Sequence, residues 1–152
     1  MFEAYRRYPS HYRQEEISQI LGWIEQGVSG SVVGLPGAGK SNIFRFLKTH
    51  QSWGAFQNST SAVVPIFLDL NHEHNLDLIK FYKLVLRELR NAPNLSESQS
   101  AEIAAQYKDL RGSSDDFELQ DGIWDVFDLL VQSNKRIVFF IDHFDYLITQ
   151  NL

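Results

Sequence analysis

The chain has 152 residues, 43% hydrophobic and 22% charged, enough for one globular domain with its own core. It holds no cysteine, which excludes disulfides and Cys-ligated zinc or iron–sulfur sites. Its net charge of −5 excludes an overall basic field for gripping nucleic acid, so any such contact would have to come from a local patch. The start, "MFEAYRRYPSHYRQEE", lacks the apolar stretch of a signal peptide, and the longest apolar runs, such as "IVFFI", fall far below the ~18 residues that span a bilayer. A soluble, cytoplasmic protein with no membrane partner is expected.

In chain order, "YRRY" at residues 5–8 reads as a solvated arm. Residues 14–26 then carry Ile17, Ile20, Leu21 and Ile24 on one helical face, with Glu15 and Glu16 near the positive end of the helix dipole and Gly27 placed to end the helix. "SGSVVG" predicts a short buried strand, "GLPGAGKS" a Gly-rich loop, and "KSNIFRFLKTH" a helix with Ile43, Phe44 and Leu47 on one face. A polar stretch, "QSWGAFQNSTS", leads to "AVVPIFLDL", the continuous apolar run of a strand buried on both faces, although Pro65 is an awkward start for one.

From Asn75 to Arg90, Leu78, Tyr82, Val85 and Leu89 form a helical stripe with Leu86 beside it, broken by Pro93. "SESQSAEIAAQYKDLRG" predicts a second helix capped by Ser96 with Gln99 completing a capping box. The acidic "SSDDFELQDG" reads as a loop or helix start, followed by a helix with Ile123, Phe127 and Leu130 on its apolar face and Trp124 and Val131 adjacent. "RIVFFID" is the last strand. Strands alternating with helices predict an α/β fold, a three-layer parallel sheet with helices on both faces, in a single domain over 1–152 with 1–29 as an N-terminal arm and helix.

The chemistry begins at Gly34, Leu35, Pro36, Gly37, Ala38, Gly39, Lys40, Ser41 and Asn42, where G-x-x-x-x-G-K-S sits between a predicted strand and a predicted helix. Glycines let successive backbone N–H groups turn toward phosphate oxygens. Lys40 supplies a point charge for the β and γ phosphates, Ser41 a hydroxyl for Mg²⁺, and the helix N-terminus its partial positive charge. Phosphoryl transfer also needs an acid on the metal and a group that positions water. Asp142, at the carboxyl end of "RIVFFID", has the place of a Walker B acid. His143 follows it where many ATPases carry a catalytic glutamate. His143 and Asp145 are the two candidates for activating water, and Asp145 could equally cap the turn after the strand.

With both elements in view the chain resembles P-loop NTPases of the additional-strand (ASCE) division, near the AAA+ and STAND ATPases. "HYRQEE" is similar to the hhGRxxE element of STAND and origin-recognition-type ATPases, with Arg13 and Glu16 at its Arg and Glu and Tyr12 where it has glycine. "DHFD" resembles the D-x-x-D/E spacing of NACHT-type STAND proteins. The resemblance implies that Arg13 and Tyr12 join the nucleotide site, that ATP or ADP and Mg²⁺ are bound, and that slow hydrolysis serves a switch. It also implies self-association or further domains, because the family's sensor strand, arginine finger and lid are not in this sequence, so a fragment of a longer protein is expected. A non-hydrolysing nucleotide-binding or oligomerisation module and a small-molecule phosphotransferase are the alternatives. The only Asn-Lys pair, in "SNKRI", lacks the Asp that reads guanine, which disfavours a GTPase. His72 and His74 of "NHEHN" lack further identifiable ligands and read as a solvated loop. The many aromatics fall on core-facing positions rather than on a base-stacking platform.

Overall fold

The computed structural model describes residues 8–9, 11–49, 62–72 and 75–149. The expected arm at 5–7, the polar stretch at 51–61, and Glu73 and His74 lie outside the described residues. The chain divides into two compact units, Met1–Ser59 and Thr60–Leu152.

In the first unit, α1 (Gln14–Gln26) buries the four apolar residues that its spacing predicts, Ile17, Ile20, Leu21 and Ile24, and ends on Gly27 in the left-handed region. Helix α2 (Lys40–Thr49) buries Ile43, Phe46 and Leu47. Phe46 rather than Phe44 is the aromatic residue fully turned inward, because it meets the rings of Tyr8 and Tyr12 at 5.8 and 5.3 Å.

The second unit opens with β1 (Val63–Asp69), buried on both faces, and a 3-10 turn at Leu70–His72. Helix α3 (Leu78–Arg90) is capped by Asp77, whose side chain accepts from the Lys80 N–H. It buries Leu84, Val85, Leu86 and Leu89, while Leu78, the first helical residue, stays exposed. Helix α4 (Glu97–Leu110) carries the capping box in full: the Gln99 N–H donates to Ser96 Oγ at 3.3 Å and the Ser96 N–H donates to Gln99 Oε1 at 2.9 Å. Those bonds explain why the polar Gln99 can be buried. Helix α5 (Asp116–Gln132) starts on Asp115, which accepts from the N–H groups of Phe117 and Glu118. It packs on α3, α4 and strand β2 (Arg136–Asp142). Gly122 faces Leu110 so closely that a Cβ there would collide with the leucine Cδ1. The chain ends its described part in the short α6 (Asp145–Thr149).

The expected three-layer parallel sheet is corrected by this architecture. Among the described residues there are six α-helices and one two-stranded parallel sheet, β1 beside β2, so the fold is mostly helical. The physical reason lies first in "SGSVVG", which forms no strand. Its apolar run is only Val32 and Val33, with Gly30 and Gly34 close on either side, and Val33 is 89% exposed, so burial contributes nothing to hold that segment extended against a neighbour. The two long apolar runs do pair, and Pro65 is accommodated opposite Val138 within the parallel register. Three helices cross between the strands, as parallel pairing demands a long connection. The core of this unit gathers Val64, Ile66 and Leu68 of β1 against Leu86 and Leu89 of α3, Ile103 of α4, and Leu119 and Leu130 of α5. No helix among the described residues is long and apolar enough to cross a membrane.

Candidate functional site

The Gly-rich loop belongs to the first unit. Gly37 and Gly39 adopt φ of 80° and 82°, where a Cβ is strained, and a Cβ on Gly39 would also press on the Arg13 guanidinium at 3.1 Å. Between them the Ala38 N–H donates to the Leu35 carbonyl at 3.1 Å, closing a tight turn. Helix α2 then begins at Lys40, and the Asn42 and Ile43 N–H groups both donate to the Gly39 carbonyl. Among the described residues, the N–H groups of Gly37, Gly39, Lys40 and Ser41 meet no protein acceptor. Alternating backbone at two glycines followed by a helix N-terminus is an anion-binding concavity. The residues therefore fit a phosphate group. The Lys40 ammonium is folded over the loop's own carbonyls, donating to Gly34 O at 2.7 Å and Leu35 O at 3.1 Å.

Arg13 and Tyr12 reach this loop in different ways. Arg13 takes φ of 44° at the N-cap of α1, which sends its Nη2 to the Ala38 carbonyl at 2.5 Å while Nη1 lies 3.5 Å from Glu16 Oε1. It grips the loop's backbone directly. Tyr12 instead joins the ring cluster with Tyr8 and Phe46, and Tyr8 donates its hydroxyl hydrogen to Asn42 Oδ1 at 3.5 Å. The "HYRQEE" segment thus braces the loop and the first turns of α2.

In the second unit, the parallel register places Asp69 opposite Asp142, so both strands deliver a carboxylate at their carboxyl ends. His143 follows with φ of 59°, and its Nδ1 lies 3.1 Å from Asp69 Oδ1 and 3.6 Å from Asp142 Oδ2. Each carboxylate is fixed by a backbone N–H: Asn71 donates to Asp69 Oδ1 at 3.1 Å and His143 donates to Asp142 Oδ1 at 3.0 Å. All three side chains are half-buried. The structure brings Asp142 and His143 together and adds Asp69, which the sequence reading passed over. Its signal was there: "FLD" and "FID" end the two strands alike. Asp145 is not in this group; it is the exposed first residue of α6.

No family model, curated protein or solved structure matches this chain. The loop residues 34–42 with Arg13 and Tyr12 belong to the first unit, and Asp69, Asp142, His143 and Asp145 to the second.

Proposed function

We propose that the chain binds ATP through the loop of residues 34–41 and serves as a nucleotide-dependent switch in the manner of the STAND and AAA+ ATPases it resembles. The observation that carries this reading is the row of backbone N–H groups at Gly37, Gly39, Lys40 and Ser41 that meet no acceptor among the described residues, beside a lysine ammonium. Those donors would take phosphate oxygens, and Lys40 would exchange its bonds to two neutral carbonyls for pairs with ionised oxygens. Arg13 would hold the loop's shape through its bond to the Ala38 carbonyl. Ser41 is the loop residue assigned to Mg²⁺, which would neutralise charge on the transferring phosphoryl group.

Equilibrium dialysis of ATP with the purified chain tests the reading. Saturable binding with a dissociation constant below a millimolar is expected, and none detectable at millimolar nucleotide would overturn it. A second reading, a module that holds nucleotide without hydrolysing it, is favoured by one observation: His143 stands in the usual place of the catalytic acid with its ring held at Asp69. Phosphate release separates the two. Hydrolysis requires Mg²⁺-dependent release that falls at least about 100-fold in Asp142→Asn while ATP binding persists, since loss of a metal acid removes several kcal/mol of charge stabilisation. Wild-type protein that binds ATP and releases no phosphate belongs to the second reading.

A further inference from the structure

The group at the carboxyl ends of β1 and β2 has a chemistry of its own. Asp69, Asp142 and His143 each offer one ligand atom, and these atoms all lie within 4.8 Å of one another. Metal–oxygen and metal–nitrogen bonds of about 2.0–2.2 Å put neighbouring ligand atoms roughly 3.0–3.5 Å apart in octahedral and tetrahedral sites. The separations from His143 Nδ1 are 3.1 Å to Asp69 Oδ1, within that range, and 3.6 Å to Asp142 Oδ2, just above it. The Asn71 and His143 N–H groups orient the two carboxylates as outer partners of ligands commonly do. Two carboxylates carry the charge that one divalent cation balances.

We propose that Asp69, Asp142 and His143 form a binding site for one divalent transition-metal ion, Zn²⁺ or Mn²⁺ in preference to Mg²⁺. The imidazole sets the preference: Mg²⁺ takes oxygen ligands almost exclusively and gives up water reluctantly, whereas a nitrogen donor beside two carboxylates suits borderline first-row ions. Zn²⁺ binds more tightly than Mn²⁺ at such a donor set. Three protein ligands on half-buried side chains leave coordination positions open to water or to a phosphate oxygen. The site lies wholly within the second unit and stands without the nucleotide reading. Asp142, which the sequence sets in the place of a Walker B acid, has Asp69 and His143 as its companions here.

The test is calorimetric titration of the full chain with Zn²⁺, Mn²⁺ and Mg²⁺ in the absence of nucleotide. One equivalent of Zn²⁺ is expected, at least about tenfold tighter than Mg²⁺, with His143→Ala and Asp69→Asn each weakening Zn²⁺ at least about tenfold and Ser41→Ala and Lys40→Ala leaving it unchanged. The double variant His72→Ala, His74→Ala must also retain the binding; losing it there instead would place the metal on "NHEHN" and overturn the proposal. A measurement on unaltered protein guards against variants that misfold. Mn²⁺ should broaden the amide resonances of Asp69, Asp142 and His143 before any others, and broadening that spares them would overturn the proposal too.

Discussion

Lys40→Ala is expected to weaken ATP binding on the order of 100-fold or more, with the thermal transition of the protein left in place. In the structure the ammonium donates to two loop carbonyls, Gly34 O and Leu35 O. With phosphate present the ammonium leaves these neutral carbonyls for ionised oxygens, and bonds between charged groups contribute about 1.5–3 kcal/mol apiece. A net loss of about 3 kcal/mol corresponds to roughly a hundredfold in affinity. Lys40 is the first residue of α2 and only half-buried, so its truncation leaves the core of Ile43, Phe46 and Leu47 intact. Lys40→Arg is not expected to rescue, because a planar guanidinium cannot replace a compact ammonium inside so tight a loop. Calorimetric titration with ATP measures both variants. An alanine variant that binds as tightly as wild type would remove the lysine from the site.

Leu130→Ala is expected to destabilise the second unit by about 2–5 kcal/mol, a large share of the roughly 5–15 kcal/mol that typically holds a domain folded. Leu130 has no exposed surface and lies in the cluster that joins β1 to α3, α4 and α5. Its loss leaves a cavity that rigid neighbours cannot fill, since close-packed helices relax only partly around a missing side chain. Urea unfolding followed by far-ultraviolet circular dichroism reads the shift in midpoint. The same truncation at Val131, an exposed neighbour on α5, is expected to change stability by no more than about 0.5 kcal/mol. Equal shifts at the two positions would mean that α5 packs by another face.

Several elements were legible because their causes are local. The offsets of three, four and seven in α1, the glycine that ends it, the Ser96–Gln99 capping box and the two long apolar runs each carry their structure in adjacent residues. What escaped was tertiary. "SGSVVG" has the composition of a strand, but a strand exists only with a partner, and Val33 lies exposed in unpaired chain. The number of strands was therefore over-read and the sheet with it. Leu78 fits the stripe of α3 by spacing yet stays exposed, because position on a helical wheel does not say where the helix begins relative to the core.

The candidate site divides in the same way. Gly37, Gly39 and Lys40 were readable, since a loop that bends through positive φ into a helix writes its need for glycine into the sequence. Asp69 was marked only by the likeness of "FLD" to "FID", since an Asp that closes a strand is by itself no sign of function. Only the register that sets it opposite Asp142 gives it a partner. His143 stood out by its neighbour Asp142, but the left-handed backbone that brings its ring to Asp69 is not a property of the residue name. Arg13, expected as a nucleotide contact, donates in the structure to the loop carbonyl of Ala38. Its substitution by alanine would be felt through the loop.

The central claim is that residues 34–41 are where phosphate binds, and amide-resolved nuclear magnetic resonance during titration with MgATP addresses it directly. The backbone signals of Gly37, Gly39, Lys40 and Ser41, whose N–H groups meet no protein acceptor among the described residues, are expected to move first and furthest, saturating with the nucleotide. Saturating shifts elsewhere in the chain with these four amides unmoved would contradict it.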